Sequence, residues 1–441
     1  MIEKYLVKKI TEPVDWKITV PGSKSMTNRA LLMAVLSAGT VRVEGVLFSD
    51  DSRHFLACLV ALGFTVEIEE EKKCETVTGC GGRIPRGEAV IDVGSAGTAA
   101  RFLAAMLGFS DGCYEIRCSA QMKRRPMAEL FDLLSGAGAK ITFLEEEGHL
   151  PVRITGCRYA RADKTAGETP RELSLDITKS TQFLSALLLI APMVPEGMKI
   201  HITSEKTDGS YIRITRKMMQ EFVVSVAFDG RDYEVPCRSS YRKETYMVEP
   251  DMSAACYFYA AAAVTGGRAL VRHVHMDNTQ GDLRFLEVLE HMGCTADDTP
   301  EGILVTGPAD GALRGITVNM NDFSDQALTL AAIAPFADAP VRIEGIGHIR
   351  GQECDRIHAI QTNLTALGIR CEEEETAATI YPGSPHGGSV ETYDDHRVAM
   401  AFSLVGLRTD GIVIENPACC RKTFENYFTV LSELTGKTVE G

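Results

Sequence analysis

Ser25-Met26-Thr27-Asn28-Arg29-Ala30-Leu31-Leu32 is a short polar signal running straight into an apolar helical stretch. The layout returns at Thr98-Ala99-Ala100-Arg101-Phe102-Leu103, Ser180-Thr181-Gln182-Phe183-Leu184, Ser253-Ala254-Ala255-Cys256-Tyr257-Phe258, Ser324-Asp325-Gln326-Ala327-Leu328 and Asp395-His396-Arg397-Val398-Ala399-Met400. The openings lie 73, 82, 73, 71 and 71 residues apart, and one sixth of the 441-residue chain is 73.5. A near-constant period of this kind marks repeated supersecondary units. Ser, Thr and Asp side chains accept hydrogen bonds from the unpaired N–H groups of a first helical turn. The spacing therefore predicts six helices, capped at these six points.

Between these openings the pattern fills in. Second helices are predicted over 53–62, 127–134 and 283–292, behind Asp50-Asp51-Ser52, Arg125-Pro126 and Gly281-Asp282. Proline suits a first turn, where its missing N–H has no partner to lose. Alternating runs such as Thr40–Glu44 and Val341–Glu344 read as half-buried strands. Each repeat is thus an α/β unit. The acidic runs Glu69-Glu70-Glu71, Glu145-Glu146-Glu147 and 372–375 read as solvated outer turns.

Composition bounds the function. With 46 Lys+Arg against 60 Asp+Glu, the net charge is −14. That argues against general binding to nucleic acid or to anionic membranes, which needs a basic surface, but leaves room for a local basic pocket. A chain of 441 residues outgrows one core and predicts two or three domains. Its 39 Gly and 17 Pro are ordinary usage, which excludes collagen-like or low-complexity chains. Apolar stretches such as 184–194 fall short of the roughly 20 residues that a bilayer span needs, and Met1-Ile2-Glu3-Lys4 lacks the layout of a secretory signal. The 13 cysteines include no Cys-x-x-Cys pair, so free thiols in a reducing cytoplasm are expected rather than a zinc site. His273 and His275 read as satisfied structural residues.

Basic residues cluster where helices begin or glycine-rich turns occur: Lys24, Arg29, Arg101, Arg124, Arg125, Arg356, Arg397, Arg421 and Lys422. A helix N-terminus favours anions, and a guanidinium beside it adds bidentate recognition of phosphate or carboxylate. Any one of these residues is explained by a surface ion pair worth about 0–1 kcal/mol. Their recurrence at matched repeat positions points instead to a cleft for a pair of anionic ligands. Asp325, Glu353 and Asp355 sit among these cations, where a carboxylate stays ionised and can serve as a base.

Several motifs are specific enough to carry a resemblance. Pro21-Gly22-Ser23-Lys24-Ser25-Met26-Thr27-Asn28-Arg29-Ala30 resembles the N-terminal signature of the 3-phosphoshikimate 1-carboxyvinyltransferase family, and Gly94-Ser95-Ala96-Gly97-Thr98-Ala99-Ala100-Arg101 its glycine loop. Lys123-Arg124-Arg125-Pro126-Met127, Ser180-Thr181-Gln182, Gln280-Gly281-Asp282, Glu353-Cys354-Asp355-Arg356, Asp394-Asp395-His396-Arg397 and Lys422-Thr423-Phe424 follow in family order across nearly the whole chain.

The resemblance implies a two-domain inside-out α/β barrel in which each domain holds three βαβαββ repeats. Residues 22–248 would form one domain and 1–21 plus 249–441 the other, with a hinge near Pro21 and Glu249. It implies transfer of the enolpyruvyl group of phosphoenolpyruvate to the 5-hydroxyl of shikimate 3-phosphate, by addition and then elimination of phosphate. No metal or organic cofactor is implied, and the chain is expected to be a cytoplasmic monomer whose partners are its two small substrates.

Carried over residue by residue, Asp325 and Lys24 would handle the hydroxyl, Glu353 with His396 the carbon protonation, and Lys422 the departing phosphate. Lys24, Gly97, Arg125, Gln182, Arg356, Arg397 and Lys422 would hold phosphoenolpyruvate. Lys24, Ser25, Arg29, Ser180, Thr181, Gln182, Asp325, His348 and Gln352 would hold shikimate 3-phosphate. This chain departs from the family pattern at Gln352, where Lys is usual, at His348, where Asn is usual, at Asp208 in place of Ser, and at Phe102 in place of Pro. The loss of one Lys and the gain of an Asp predict weaker shikimate 3-phosphate affinity, unless Ser210 takes over. Gly97 in its Gly-Thr-Ala setting resembles the glyphosate-sensitive pattern.

Two rivals remain at this point. One is the UDP-N-acetylglucosamine enolpyruvyl transferase type, whose signature begins Gly-Ala-Lys-Asn where this chain has Gly22-Ser23-Lys24-Ser25. The other is a non-catalytic anion binder, which needs no carboxylates beside its cations.

Overall fold

Val41 and Val43 point inward from Thr40–Glu44 while Thr40 is exposed, as period-two alternation requires. This strand pairs in parallel with Thr245–Met247 and antiparallel with Cys74–Thr78, which pairs antiparallel with Thr65–Glu69. The computed structural model describes residues 3–157, 169–308 and 312–436, and over these the same sheet plan recurs. Glu88–Asp92 runs parallel to Cys113–Arg117, followed antiparallel by Val152–Thr155 and Lys140–Phe143. Arg171–Leu175, Met198–Ile202, Asp232–Val235 and Ala227–Phe228 repeat the order. These three sheets lie in one compact unit, Gly22–Glu249.

The other unit is Pro250–Gly441 together with Met1–Pro21. Its sheets follow the same rule. Asp15–Ile18 runs parallel to Arg268–Arg272, and Thr317–Asn319 parallel to Val341–Glu344, each with two further antiparallel strands. In the third sheet Gly388–Val390 runs parallel to Ile412–Glu415, whose other neighbour is Lys4–Leu6. The N-terminal segment thus supplies two strands to a unit whose remaining residues begin at Pro250.

One strand of each parallel pair follows a helix that is buried almost all round, as a helix at the centre of a unit must be. In the first unit these are Lys24–Leu36, Gly97–Gly108 and Thr181–Ile190, which pack on one another. In the second they are Met252–Thr265, Ala327–Ile333 and His396–Arg408. Helices inside and sheets outside make the α/β fold inside-out. The second helix of each repeat, such as Asp50–Ala61 or Arg356–Ala366, buries one side only.

Several expected helix starts shift. Ser180 and Asp395 cap as predicted, accepting from Gln182 N and Arg397 N. Ser25, Thr98 and Ser253 lie inside their helices instead. Lys24–Leu36 follows Ser23, and Gly97–Gly108 follows Ala96, neither with a side-chain cap. Met252–Thr265 is capped by Asp251, which accepts from Ala254 N. Ser324 opens a 3-10 turn, Ser324–Gln326, ahead of Ala327–Ile333. The uncapped starts leave free N–H groups beside Lys24 and Gly97, where an anion can take them. The predicted helix 127–134 is Ala128–Gly136, so Pro126 precedes its first turn, and 283–292 divides into a 3-10 segment Gly281–Arg284 and the helix Phe285–His291. His273 and His275 lie beyond the end of Arg268–Arg272, and His275 pairs with Asp298. The acidic turns are tied down by cations, Glu69 by Arg42 and Lys72, Glu145 by Lys123, and Glu374 by Arg342.

Candidate active site

In the unit Gly22–Glu249 the site residues lie at the N-termini of the buried helices. Lys24 is the first residue of its helix and its Nζ lies 3.2 Å from Asp51 Oδ2; the Asp51 side chain is 2% exposed. Gly97 is the first residue of the next helix. A Cβ there would stand 2.3 Å from Arg125 Nη1 and 2.8 Å from Arg101 Nη1. Only a hydrogen at this position lets the two guanidinium groups close over the helix end.

Arg101 is 4% exposed and donates to Gly97 O and to Gln182 Oε1 at 2.9 Å. Burial first, and the Arg125 charge second, pull its pKa well below the ordinary arginine value. Among the described residues Arg101 Nε and Arg125 Nε are buried without hydrogen-bond partners. Two cations packed at a helix N-terminus form a site that an anion would relieve.

Gln182, Thr181 and Ser180 sit together at the start of Thr181–Ile190, with Ser180 Oγ capping it. Arg29 is one turn into its helix and 1% exposed. It donates to Thr215 Oγ1 at 2.8 Å and to Ser25 O at 2.9 Å, and lies over the rings of Phe102 and Tyr211. Burial holds its pKa down at about 10. Arg29 is therefore covered, and Ser25 is tied to it through its carbonyl. Asp208 is balanced by Arg213 at 3.0 Å and accepts from Tyr233 Oη at 3.2 Å.

The second unit holds the groups expected to do acid–base chemistry. Asp325, from the turn Ser324–Gln326, accepts from Arg356 Nη1 at 2.9 Å and Arg397 Nη2 at 3.0 Å. Arg356 also donates to Gln352 Oε1 at 2.7 Å and to the fully buried Asp395 at 2.8 Å. Burial works against the Arg356 charge, but Asp395 and Asp325 outweigh it and hold the pKa above the ordinary value. Asp395 is pushed up by burial and pulled down further by Arg356, ending below the usual carboxylate range.

Glu353 lies 3.0 Å from His396 Nδ1 and 3.2 Å from Lys422 Nζ; all three side chains are at most 7% exposed. His348 Nε2 lies 2.8 Å from Ser324 Oγ, beside Asp325 in sequence. Asp325, Arg356, Arg397 and Gln352 thus form one hydrogen-bonded group, Glu353, His396 and Lys422 meet it through Asp395, 3.7 Å from His396 Nδ1, and His348 joins through Ser324, next to Asp325 in sequence. Ligand atoms of Glu353, Asp395 and His396 lie within 4.8 Å of one another, as a metal would need, but Arg356 and Lys422 already place positive charge at the two carboxylates.

Sequence reasoning missed four members of these networks. Asp51 was legible only as a helix start, and Arg101 only as one cation among several. Asp395 was read as a cap, and Asp282 as the lead-in to a second helix and part of the Gln280-Gly281-Asp282 motif. The partners that give them roles lie 27 to 81 residues away in the chain.

Comparison with known proteins follows the same lines. The family model described as EPSP synthase (3-phosphoshikimate 1-carboxyvinyltransferase) matches residues 8–431. A 3-phosphoshikimate 1-carboxyvinyltransferase of Trichormus variabilis is 40% identical over 97% of this chain and 98% of its own. One from Vibrio campbellii is 37% identical over 96% and 97%. The solved EPSP synthase of Acinetobacter baumannii shares the fold with a TM-score of 0.78 at 24% identity, covering 98% of this chain and 97% of that one. The enolpyruvyl transferase NikO of Streptomyces tendae does so with 0.73 at 17%, over the same shares.

Proposed function

The chain belongs to the EPSP synthase (3-phosphoshikimate 1-carboxyvinyltransferase) family, and we propose that it transfers the enolpyruvyl group of phosphoenolpyruvate to the 5-hydroxyl of shikimate 3-phosphate with release of phosphate. One observation carries the reading: two acids in differently charged settings. Asp325 is held between two arginines, which keep it ionised as a base. Glu353 faces His396, a pair able to hold and return one proton, with Lys422 beside it.

In the addition step the proton held by the Glu353–His396 pair passes to the methylene carbon of phosphoenolpyruvate. The 5-hydroxyl oxygen bonds to the neighbouring carbon, and its proton goes to Asp325. In the elimination step the bond from that carbon to the phosphate oxygen breaks. Phosphate leaves on Lys422 with the proton from Asp325, and a methyl proton returns to the Glu353–His396 pair to restore the double bond. Arg356 and Arg397 are assigned to phosphoenolpyruvate, and by the family pattern so are Gly97 and Arg125. Lys24, Ser180, Thr181 and Gln182 are assigned to shikimate 3-phosphate, Lys24 also serving its hydroxyl. Arg29 and Ser25 join them once Arg29 exchanges Thr215 for substrate.

The test is phosphate release from phosphoenolpyruvate with shikimate 3-phosphate, with UDP-N-acetylglucosamine, and with no acceptor. Release with shikimate 3-phosphate alone is expected. Asp325→Ala should lower turnover by about 10²–10⁴-fold, the range for a general base, while leaving phosphoenolpyruvate binding measurable by calorimetry. Wild-type binding without turnover would favour an anion-binding role instead.

A further inference from the structure

Asp282 has no part in the chemistry above, yet it is joined by hydrogen bonds to the group that carries it. It sits in the short segment Gly281–Arg284 and is 7% exposed. Its Oδ2 accepts from Gln326 Nε2 at 2.9 Å and from Ser253 Oγ. Ser253 Oγ also lies 3.4 Å from Arg397 Nη2, the guanidinium nitrogen that reaches Asp325 at 3.0 Å. Gln326 is the residue after Asp325, and its own Oε1 accepts from Thr329 Oγ1. Two routes therefore lead from Asp282 to Asp325, one through Ser253 and Arg397, the other through Gln326 and the backbone of a single 3-10 turn.

A carboxylate buried without a directly bonded cation is costly, and an amide or an apolar residue would fill the same space more cheaply. Holding neutral donors in fixed orientation is what a charged acceptor does better than either, because charge-assisted hydrogen bonds are shorter and stronger. We propose that Asp282 is a positioning residue of the transfer reaction: it orients Ser253 and Gln326, and through them sets Arg397 and Asp325 in the geometry that receives the substrate proton. This rests on the enolpyruvyl-transfer reading.

The inference has a pH signature. Facing Asp282 are Ser253 and Cys256 from Met252–Thr265, Gln326 and Asp325 from the 3-10 turn, and Arg397 from His396–Arg408; Asp251, at the start of the first of these helices, acts on Cys256 in turn. Burial, then the Asp325 charge, push its carboxyl up to about 6 against the pull of Arg397. Above that pH the carboxylate accepts both bonds. Below it one oxygen carries a proton and the arrangement loosens.

The experiment compares wild type, Asp282→Asn, Asp282→Ala and Ser253→Ala in the full chain. Asp282→Asn is expected to lower kcat about tenfold, the order of one charge-assisted bond, with little change in KM for shikimate 3-phosphate. Its kcat profile should lose the acid limb near pH 6 that the wild type shows. Asp282→Ala should fall further, and Ser253→Ala should lower kcat while keeping the limb. If Asp282→Ala does not fold, the other two variants decide. A wild-type kcat and profile in Asp282→Asn, with only its melting temperature changed, overturns the inference. A wild type that releases no phosphate overturns the enolpyruvyl-transfer reading instead. Asp282 is then judged by calorimetry with phosphoenolpyruvate, where the Asn variant must bind more weakly through Arg397, and equal affinity overturns the proposal.

Discussion

At Gly97 one missing methyl decides whether two guanidinium groups can meet. A Cβ would fall 2.3 Å from Arg125 Nη1, closer than any real contact, so Arg125 must swing away from the helix end. Gly97→Ala should therefore raise KM for phosphoenolpyruvate about tenfold, the worth of one displaced charge-assisted bond, with a smaller effect on kcat. It should also weaken competitive inhibition by glyphosate. Steady-state kinetics in both substrates, with and without the inhibitor, check this; an unchanged inhibition constant counts against the assignment. Two departures from the family pattern have partners at this scale. Gln352 accepts from Arg356 rather than offering a charge of its own, and Asp208 is held by Arg213 and Tyr233.

Among the elements, the strand Cys74–Thr78 carries an unusual residue. Glu75 lies opposite Val43 and Ile68, is fully buried, and neither carboxyl oxygen has a hydrogen-bond partner among the described residues. Burial pushes its pKa from 4.5 up to about 8, so the fold favours the protonated acid. The stability this gives is full below about pH 4.5 and is lost as pH rises toward 8. Glu75→Gln, neutral throughout, should melt with less pH dependence across that window, so its melting temperature should gain on the wild type as pH rises. Scanning calorimetry at several pH values measures it.

Elements were also where the sequence was most and least readable. The alternation of Val41 and Val43, and of Val341 and Ile343, marked strands because one face of each must be dry. Ser180 and Asp395 marked helix starts because their caps are local. Ser25 and Thr98 misled because the true first turns, at Lys24 and Gly97, lack side-chain caps, so no local signal marks them. The Asp51–Lys24 and Asp282–Gln326 pairs were invisible, since strand pairing and helix packing bring them together across long separations that no short-range pattern encodes.

For the whole molecule, sheet membership sets which pieces of chain can stand alone. The unit Gly22–Glu249 contains every strand of its three sheets, including Thr245–Met247 at its end. A fragment covering 22–249 should therefore unfold cooperatively by itself. A fragment covering 250–441 lacks Lys4–Leu6 and Asp15–Ile18, leaving Ile412–Glu415 and Arg268–Arg272 each with an open edge. It should be soluble and cooperative only when a peptide of residues 1–21 is added. Circular dichroism melts of the fragments, with and without the peptide, test this.

That sharing of strands also fixes an order of events at the ribosome. Lys4–Leu6 leaves the exit tunnel before the rest of its unit, and Lys4 must wait for Glu415, 411 residues further along the chain. At about 5–20 residues per second the intervening stretch takes roughly 20–80 s to synthesise. Throughout that time the leading segment of the nascent polypeptide waits while a complete neighbour folds behind it. The unit that owns Lys4–Leu6 closes only after Ile412–Glu415 has been made, long after its neighbour is complete.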